Sequence, residues 1–346
     1  MKFNTERMLQ TTKELFDAKR NKTGIFSEGI CDPADDLPLT LFEKSPNYKK
    51  NYSHYLFYMS GTTYRENSTR TFKGGRELYE DYPFFFDPKT VVKTKSVEDC
   101  QTIVRDYLKH GFYKIIGERW YENSKILVEK YDGNVVNLFN DTIDVNVVHR
   151  RVRNKTLKNQ KQGFRGFGDK VSNLFIGYIH RHIHPFQNTY DLKRPVDVHD
   201  MRIFLGQEII DLEGEIPNHE KMEKFIMMNT YKFFKEHLEF DPTYHKLNTW
   251  ILGSYGCINR EKDESRIGNK YRKVKEIESD EKQIQLVENN IITPKYTKSK
   301  KISKNRPLIK CRQYCPFSRP CTSTLDQDGY RYEGKIIPIK KDLMLL

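Results

Sequence analysis

Apolar residues spaced as on one face of an α-helix are the dominant pattern along the chain. The first such stretch is residues 5–20. Another begins after Ser96, which is followed by Glu98 and Asp99 in the first turn, as expected of an N-cap residue. The same period returns at residues 123–139, where a helix is expected to end near Asp132-Gly133, and at 142–159, 169–183, 198–212 and 218–238. Strand-like alternation is rare until residues 330–346, where a short hairpin is predicted. The pattern therefore predicts a mostly α-helical fold.

Two segments depart from this pattern. Residues 51–86 are rich in aromatic side chains and are interrupted by glycine and proline. We expect most of these rings to pack in a core, with a few available to stack on exposed bases. Residues 258–310 contain many lysines and few large apolar residues, which is typical of a partly helical, partly flexible insertion. The charges of this insertion form either a solvated face or a contact surface for phosphates.

The net charge of the chain indicates which classes of binding partner it favours. Among 346 residues, 60 Lys and Arg stand against 47 Asp and Glu, which leaves a formal charge of +13. Such an excess favours polyanions, nucleic acid first and anionic membrane second, although it also serves solubility. No stretch approaches the roughly 18 apolar residues of a transmembrane helix, and residues 1–20 lack the apolar run of a signal peptide. An intracellular protein is expected.

A glycine-rich turn precedes the predicted helix at 169–183. Residues 163–170 read GFRGFGDK. Glycine lets a backbone approach a phosphate closely, and the amides at the start of the next helix would bind that phosphate. Further along, residues 195–199 read PVDVH and put Asp197 at the start of another helix. Taken singly, Lys170 is a surface lysine and Asp197 a helix N-cap.

Taken together, FRGFGDK at 164–170 and PVDVH at 195–199 resemble the motif pair of the helix-hairpin-helix DNA glycosylases, the superfamily of endonuclease III and 8-oxoguanine glycosylase. The resemblance implies the glycosylase fold of that family, two helical subdomains flanking a cleft, with Lys170 as nucleophile and Asp197 as catalytic carboxylate. It assigns DNA contacts to the hairpin residues Arg165, Gly166, Phe167 and Gly168. Arg165 replaces the proline of the family pattern, and the segment between Lys170 and Asp197 is longer than usual.

The implied activity is excision of a damaged or modified base after the nucleotide is flipped out of double-stranded DNA. In a bifunctional enzyme with lyase activity, the Lys170 amine attacks the sugar C1′ and forms a Schiff base. The ionised Asp197 carboxylate activates the nucleophile and stabilises positive charge on the sugar. Two alternatives remain: a monofunctional glycosylase that uses Asp197 alone, and a non-catalytic DNA-binding protein.

The cysteines suggest a metal site. The tail contains KCRQYCPFSRPC, and the stretch WILGSYGC ends at Cys257. The x5 spacing of the iron–sulfur loop in the endonuclease III branch is present between Cys315 and Cys321, whereas 53 residues separate Cys257 from Cys311. The resemblance implies a [4Fe–4S] cluster, with zinc as the alternative. Its expected ligands are Cys257, Cys311, Cys315 and Cys321. Cys31 and Cys100 are expected to be ordinary buried thiols.

The expected domain organisation has five parts. They are an N-terminal helix with the aromatic-rich extension at 1–95, a helical domain at 96–196 with the helix-hairpin-helix at about 141–183, an iron–sulfur helical domain at 197–257 plus 311–325, the basic insertion at 258–310 and a C-terminal tail at 326–346. Residues 5–20 are a candidate for packing on the iron–sulfur domain. A monomer that binds double-stranded DNA and no membrane is expected.

Overall fold

The structure is a computed structural model that is mostly α-helical, which confirms the predicted class. It describes residues 1–28, 47–63, 68–157, 160–192, 196–212, 219–257, 315–317, 323–326, 329–332 and 335–338. Contacts divide the chain into two compact units. The middle unit comprises Cys31–Pro195 with Leu345–Leu346, and the terminal unit comprises Met1–Ile30 with Val196–Met344. The helix-hairpin-helix glycosylase fold itself remains a prediction.

The α-helices, in chain order, are α1 (Thr5–Asn21), α2 (Tyr48–Gly61), α3 (Ser68–Asp81), α4 (Pro88–Thr94), α5 (Val97–Ile103), α6 (Tyr113–Tyr131), α7 (Val145–Val152), α8 (Asp169–His182), α9 (Val198–Gly206), α10 (His219–Glu236) and α11 (Pro242–Ile251). Shorter 3₁₀ or π turns lie at Gly24–Glu28, Pro83–Phe86, Val104–Leu108, Val135–Leu138, Thr189–Asp191 and Leu252–Cys257. Within the ranges given above, no helix combines the length and apolar composition needed to cross a membrane.

The strands are β1 (Lys2–Phe3), β2 (Lys155–Leu157), β3 (Gln160–Gln162), β4 (Ile210–Asp211), β5 (Ser323–Asp326), β6 (Gly329–Tyr332) and β7 (Lys335–Pro338). All pairs are antiparallel: β1 with β4, β2 with β3, and β5–β6–β7 in sequence order. The hairpin predicted near the C-terminus is confirmed as β6–β7, with β5 as a third strand.

Local signals account for several helix ends. Ser96 caps α5 through a reciprocal capping box with Asp99, as the sequence predicted. Helix α6 ends where Asp132 and Gly133 take positive φ angles of 51° and 65°, also as predicted. The helix predicted over 142–159 is shorter, because α7 ends at Val152 and the chain turns into the β2–β3 hairpin.

Aromatic side chains dominate the core of the middle unit. Tyr58 stacks on Trp120, with ring centroids 4.3 Å apart and planes 13° apart. Phe57 stacks on Phe167 at 4.8 Å. The aromatic-rich segment therefore lies in the same compact unit as the residues that follow position 95. Most of the rings that the structure describes there share one buried cluster with residues up to Leu192, because such large apolar surfaces are most stable when they are packed together, whereas Tyr82 and Phe84 are exposed.

A smaller core lies in the terminal unit. Leu15 and Ala18 of α1 are buried in a cluster with residues from α9, α11 and the cysteine tail. The other members are Ile25, Phe26, Ile203, Ile251, Leu252 and Phe317. Helix α1 therefore belongs to the same unit as α9, α11 and residues 315–317.

Candidate nucleic-acid interface and carboxylate cluster

The glycine-rich stretch of the middle unit forms a tight turn between β3 and α8. The Phe167 N–H donates to the Phe164 carbonyl over 3.1 Å, and Gly166 has φ +85°. Positive φ at the third position is the mark of a type II turn, where glycine is preferred. Gly163 is also fixed as glycine, since its φ is +73° and a Cβ atom there would overlap the Arg153 carbonyl oxygen. Both glycines are explained by the fold alone.

Two phenylalanines anchor the turn in the core. Phe164 and Phe167 are buried against the ring of Phe57. The Phe167 carbonyl accepts hydrogen bonds from the Asn154 N–H, at 2.7 Å, and from the Ser172 hydroxyl, at 3.1 Å. The ring and the main-chain groups of Phe167 are thus all engaged inside the unit. Its predicted part in DNA binding is reduced to shaping the turn.

Arg165 lies at the exposed tip of the turn. Its backbone N–H donates to Asn123 Oδ1 over 2.8 Å, and its carbonyl accepts from Asn123 Nδ2 over 3.0 Å. Its guanidinium forms an ion pair with Glu118 at 2.7 Å, and both side chains are nearly half exposed. An exposed pair of this kind is weak, so the Arg165 guanidinium is free to exchange Glu118 for a phosphate.

The start of α8 is open to an external acceptor. Gly168 is its N-cap residue and provides no side-chain cap. Its φ of −69° is ordinary, and a Cβ atom at this position would meet nothing within 4 Å. Among the residues that the structure describes, no acceptor contacts the backbone N–H groups of Gly168, Asp169 or Lys170. Unpaired amides at a helix N-terminus form a binding site for anions.

Charged side chains surround this helix start. The Asp169 carboxylate would repel a phosphate, but Arg153 pairs with it, with an Nη2–Oδ2 distance of 2.8 Å. His149 Nε2 lies 3.8 Å from the same carboxylate. Lys170, the predicted nucleophile, has an exposed side chain in the first turn of α8. The structure thus brings together Arg165, Gly166, Phe167, Gly168 and Lys170 in the middle unit.

Asp197 caps helix α9 in the terminal unit. Its Oδ1 atom accepts hydrogen bonds from the N–H groups of His199, at 2.9 Å, and Asp200, at 3.1 Å. The Asp197 N–H in turn donates to Asp200 Oδ2 over 3.0 Å. These reciprocal bonds form a capping box, and the helix dipole adds to the stabilisation of a negative charge at this position.

Lys246 of α11 completes a buried cluster with these two carboxylates. Its ammonium lies 2.6 Å from Asp197 Oδ2 and also pairs with Asp200 Oδ2. The Thr249 hydroxyl donates to Asp200 Oδ1 over 3.0 Å. The Asp197 side chain is 11% exposed and that of Asp200 is fully buried. We call Asp197, Asp200, Lys246 and Thr249 the carboxylate cluster. The ammonium and the hydrogen bonds offset part of the negative charge of the two carboxylates.

Sequence reasoning found Asp197 but missed its three partners. Asp200 had a local signal, since an acidic residue three positions after an N-cap is the pattern of a capping box. Lys246 and Thr249 had none, because they lie 46 or 49 residues from the groups they contact.

The segment WILGSYGC packs directly on α9. Gly253 lies so close to His199 that a Cβ atom would overlap the histidine side chain. Its carbonyl accepts a hydrogen bond from Arg202 Nη1 at 3.3 Å, and the Ser254 hydroxyl lies 3.2 Å from His199 Nε2. These contacts hold the turn that ends at Cys257 against the helix that Asp197 caps.

The predicted metal ligands fall mostly outside the described residues. Cys311, Cys321 and the side chain of Cys257 lie there, as does Cys31. Cys315 is half-buried against the small core of the terminal unit, and Cys100 is buried in the middle unit, as expected. Among the side chains that the structure describes, no three His, Cys, Asp or Glu residues are grouped to hold a metal ion. The iron–sulfur or zinc site stays a prediction.

Comparisons with protein-family models, with curated proteins and with solved structures each found no match to this chain.

Proposed function

We propose that this protein binds the backbone of double-stranded DNA through residues 163–170 and excises a damaged or modified base from it. The proposal combines the motif resemblance with one structural observation, the open glycine at position 168. Binding is assigned to the middle unit, which contains the turn and Lys170. The catalytic carboxylate is assigned to Asp197 in the terminal unit.

Gly168 is the observation that carries the binding part. The backbone requires glycine at positions 163 and 166, but not at 168, where φ is ordinary and the space around a Cβ atom is empty. Serine or aspartate would also be better N-cap residues than glycine. Glycine at this position keeps access to the amides of Asp169 and Lys170 unobstructed. A phosphate oxygen that accepts hydrogen bonds from those amides would explain why this position is glycine.

The proposed chemistry breaks the bond between the base and C1′ of its sugar. The base leaves with the bonding electrons and takes up a proton, and the sugar passes through a cationic, oxocarbenium-like state. The ionised carboxylate of Asp197 would stabilise that cation electrostatically. In the bifunctional form the Lys170 amine bonds to C1′, and in the monofunctional form water does.

The exposure of Lys170 favours the monofunctional alternative. A lysine nucleophile is normally activated by desolvation or by a neighbouring cation. The Lys170 side chain is exposed within the middle unit, which supplies no desolvation there. Asp197, by contrast, is buried and hydrogen-bonded. A glycosylase that needs Asp197 and only uses Lys170 as a phosphate contact fits these surroundings.

The engagement of Asp197 favours the non-catalytic alternative. Both of its carboxylate oxygens already accept hydrogen bonds, Oδ1 from two backbone N–H groups and Oδ2 from Lys246. For catalysis, Oδ2 must face the sugar while it still contacts the ammonium. For a binding protein, the same contacts need no further explanation.

The binding part is tested by Gly168→Ala and Gly168→Val. A Cβ atom at position 168 meets nothing within 4 Å, whereas alanine and valine are poorer N-cap residues than glycine, so we expect the free energy of unfolding to fall by no more than about 1 kcal/mol. The affinity for a labelled duplex, measured by fluorescence anisotropy, should fall about tenfold in the alanine variant and further in the valine variant. Wild-type affinity in a correctly folded Gly168→Val protein would rule out this phosphate site.

The catalytic part is tested on duplexes that each carry one damaged or modified base. Asp197→Asn keeps a good N-cap residue, so the fold and DNA affinity should persist while base release is lost. Asp241→Asn is the matched control, because Asp241 caps α11 in the same way, accepting from the Thr243 N–H at 2.6 Å. Equal base release by both variants would show that Asp197 is not catalytic, and no base release by the wild type would support a pure binding protein. Borohydride trapping that is lost in Lys170→Ala would identify the lyase form.

We further propose that Cys257, Cys311, Cys315 and Cys321 hold a [4Fe–4S] cluster that fixes the C-terminal tail to the terminal unit. Residues 315–317, which include Cys315, belong to the small core with α1, α9 and α11 in the terminal unit, which agrees with such a role. Purified protein should be brown, with broad visible absorbance and about four iron atoms per chain. Colourless protein with one zinc ion would support the alternative.

A further inference from the structure

A cavity of about 360 Å³ lies in the middle unit, beside the turn but separate from the start of α8. The end of α6, one side of α7 and the chain around Gly163 form its walls. This volume is at the lower end of the range for small-molecule sites, which extends from about 300 to 1,000 Å³. Neither the proposed phosphate contact at Gly168 nor the carboxylate cluster uses it.

The lining of the cavity has an excess of positive charge. Three cationic side chains, those of Lys130, Arg150 and Arg151, line it. Arg151 is neutralised by Asp141 through two hydrogen bonds of 2.6 and 2.8 Å. Lys130 and Arg150 are exposed and contact no carboxylate among the residues that the structure describes. Two uncompensated cations at one cavity attract a doubly charged anion.

The other wall of the cavity is apolar and partly aromatic. Ile126, Val147 and the ring of Tyr131 are half-buried there, and the Tyr131 ring is fixed by contact with Phe164 at 5.9 Å. Burial raises the pKa of Tyr131, while Arg151 acts in the opposite direction. The hydroxyl therefore remains a neutral donor at physiological pH. The flat ring of a ligand can pack against this wall.

We propose that this cavity binds the phosphate group of a nucleotide, with Lys130 and Arg150 as its ligands and Tyr131 and Val147 against its sugar or base. The fork of the Arg150 guanidinium matches two phosphate oxygens, and the Lys130 ammonium adds a point charge. The phosphate belongs either to a free nucleotide or to a strand of bound DNA. The site does not depend on glycosylase activity.

The first test uses adenosine 5′-monophosphate as the probe. The double variant Lys130→Ala/Arg150→Ala removes the two cations, and Lys93→Ala/Lys114→Ala is the matched control. Lys93 and Lys114 are exposed lysines of the middle unit outside the cavity, so both doubles lose the same charge. By calorimetry, the first double should bind the nucleotide at least tenfold more weakly than the wild type, and the control should bind normally. Adenosine, which lacks the phosphate, should bind no variant measurably.

The second test measures duplex affinity against salt concentration with the same proteins. If the phosphate comes from DNA, the wild type binds the free nucleotide weakly. In that case the slope of log K against log salt should decrease in magnitude by about two for Lys130→Ala/Arg150→Ala and should stay unchanged for the control. The proposal is overturned if the two doubles are indistinguishable with both probes. Gly168→Val should leave nucleotide binding intact, so failure of the proposed DNA contact is distinguishable from failure of this site.

Discussion

Helices α8 and α9 begin in opposite ways, although each has an aspartate in its first residues. Asp197 caps helix α9. Its carboxylate is largely buried and accepts hydrogen bonds from two backbone amides and from Lys246. Helix α8 begins at Gly168, without a side-chain cap, and its aspartate is exposed and turned to Arg153. The first arrangement uses the helix start for stability. The second arrangement leaves the helix start open to a ligand, and the helix is less stable than it would be with a side-chain cap.

The two regions also treat charge differently. In the carboxylate cluster, an ammonium and two carboxylates are largely removed from water, and each is compensated by the others. Around α8 the ion pairs remain hydrated, with the Asp169 side chain 61% exposed. A buried charge that loses its partner is costly, whereas a hydrated one is not. Substitutions of the same type should therefore have very different effects at the two places.

The largest effect is expected for Lys246→Met, which leaves two carboxylates without their ammonium in a buried site. The free energy of unfolding should fall by about 3 to 5 kcal/mol in urea denaturation. Lys224→Met is the control in the same unit, since Lys224 and Glu220 form an exposed pair with both side chains about two-thirds exposed. It should change the free energy by less than about 1 kcal/mol. Equal effects would show that the cluster is not desolvated.

Next in size is a pH effect at His54, a buried histidine whose desolvation outweighs the attraction of Asp87. Burial, helped by Lys50, lowers the pKa of His54 from 6.5 to about 4. Between these values the unfolded chain binds a proton that the folded chain does not. The contribution of the neutral imidazole is therefore complete above pH 6.5, and it is lost as the pH falls towards 4, by about 3 kcal/mol in all.

His54→Gln removes this titration, and its amide oxygen replaces His54 Nε2 as acceptor for the Val135 N–H. The free energy of unfolding of the wild type should fall more steeply between pH 6.5 and 4.5 than that of the variant. Parallel pH profiles would contradict the buried neutral state of this histidine.

A third prediction separates the glycines that the fold needs from the one assigned to binding. Gly166→Ala places a side chain at φ +85° and brings its Cβ atom within 2.9 Å of Arg119 Cδ. The conformational cost is about 1 to 2 kcal/mol, because the arginine side chain can move aside while the backbone angle cannot. Gly168→Ala should change the free energy of unfolding by less than about 1 kcal/mol, because alanine is a poorer N-cap residue but restricts the unfolded chain. Thermal denaturation of both variants checks this, and a Gly168→Ala protein destabilised as much as Gly166→Ala would remove the reason to assign that glycine to ligand binding.

The smallest effect is expected for Asp169→Asn. This substitution removes a negative charge beside the open amides of α8 and releases Arg153 from its exposed pair. Duplex affinity should rise by a few fold, equivalent to less than about 1 kcal/mol, and stability should barely change. Weaker binding in anisotropy measurements would mean that the Asp169–Arg153 pair positions the interface instead of competing with it.

Much of the local structure was readable in the sequence. Ser96 with Asp99 predicted the start of α5, Asp132 with Gly133 predicted the end of α6, and the period of apolar residues predicted α1 and α8. These features depend on hydrogen bonds and backbone angles within a few residues of each other. The β2–β3 hairpin was missed because it follows α7 without a clear break in the apolar pattern.

The sequence by itself determined the helical class, the positive charge, the glycine turn and the cap at Asp197. The tertiary structure alone decided that Phe57 packs on Phe167, that Lys246 meets Asp197, and that the aromatic segment forms the main core of the middle unit. Hydrophobic burial is not directional, so an aromatic residue in the sequence does not indicate which other ring it will pack against. A buried ammonium likewise pairs with whichever carboxylate the packing of distant helices brings within reach.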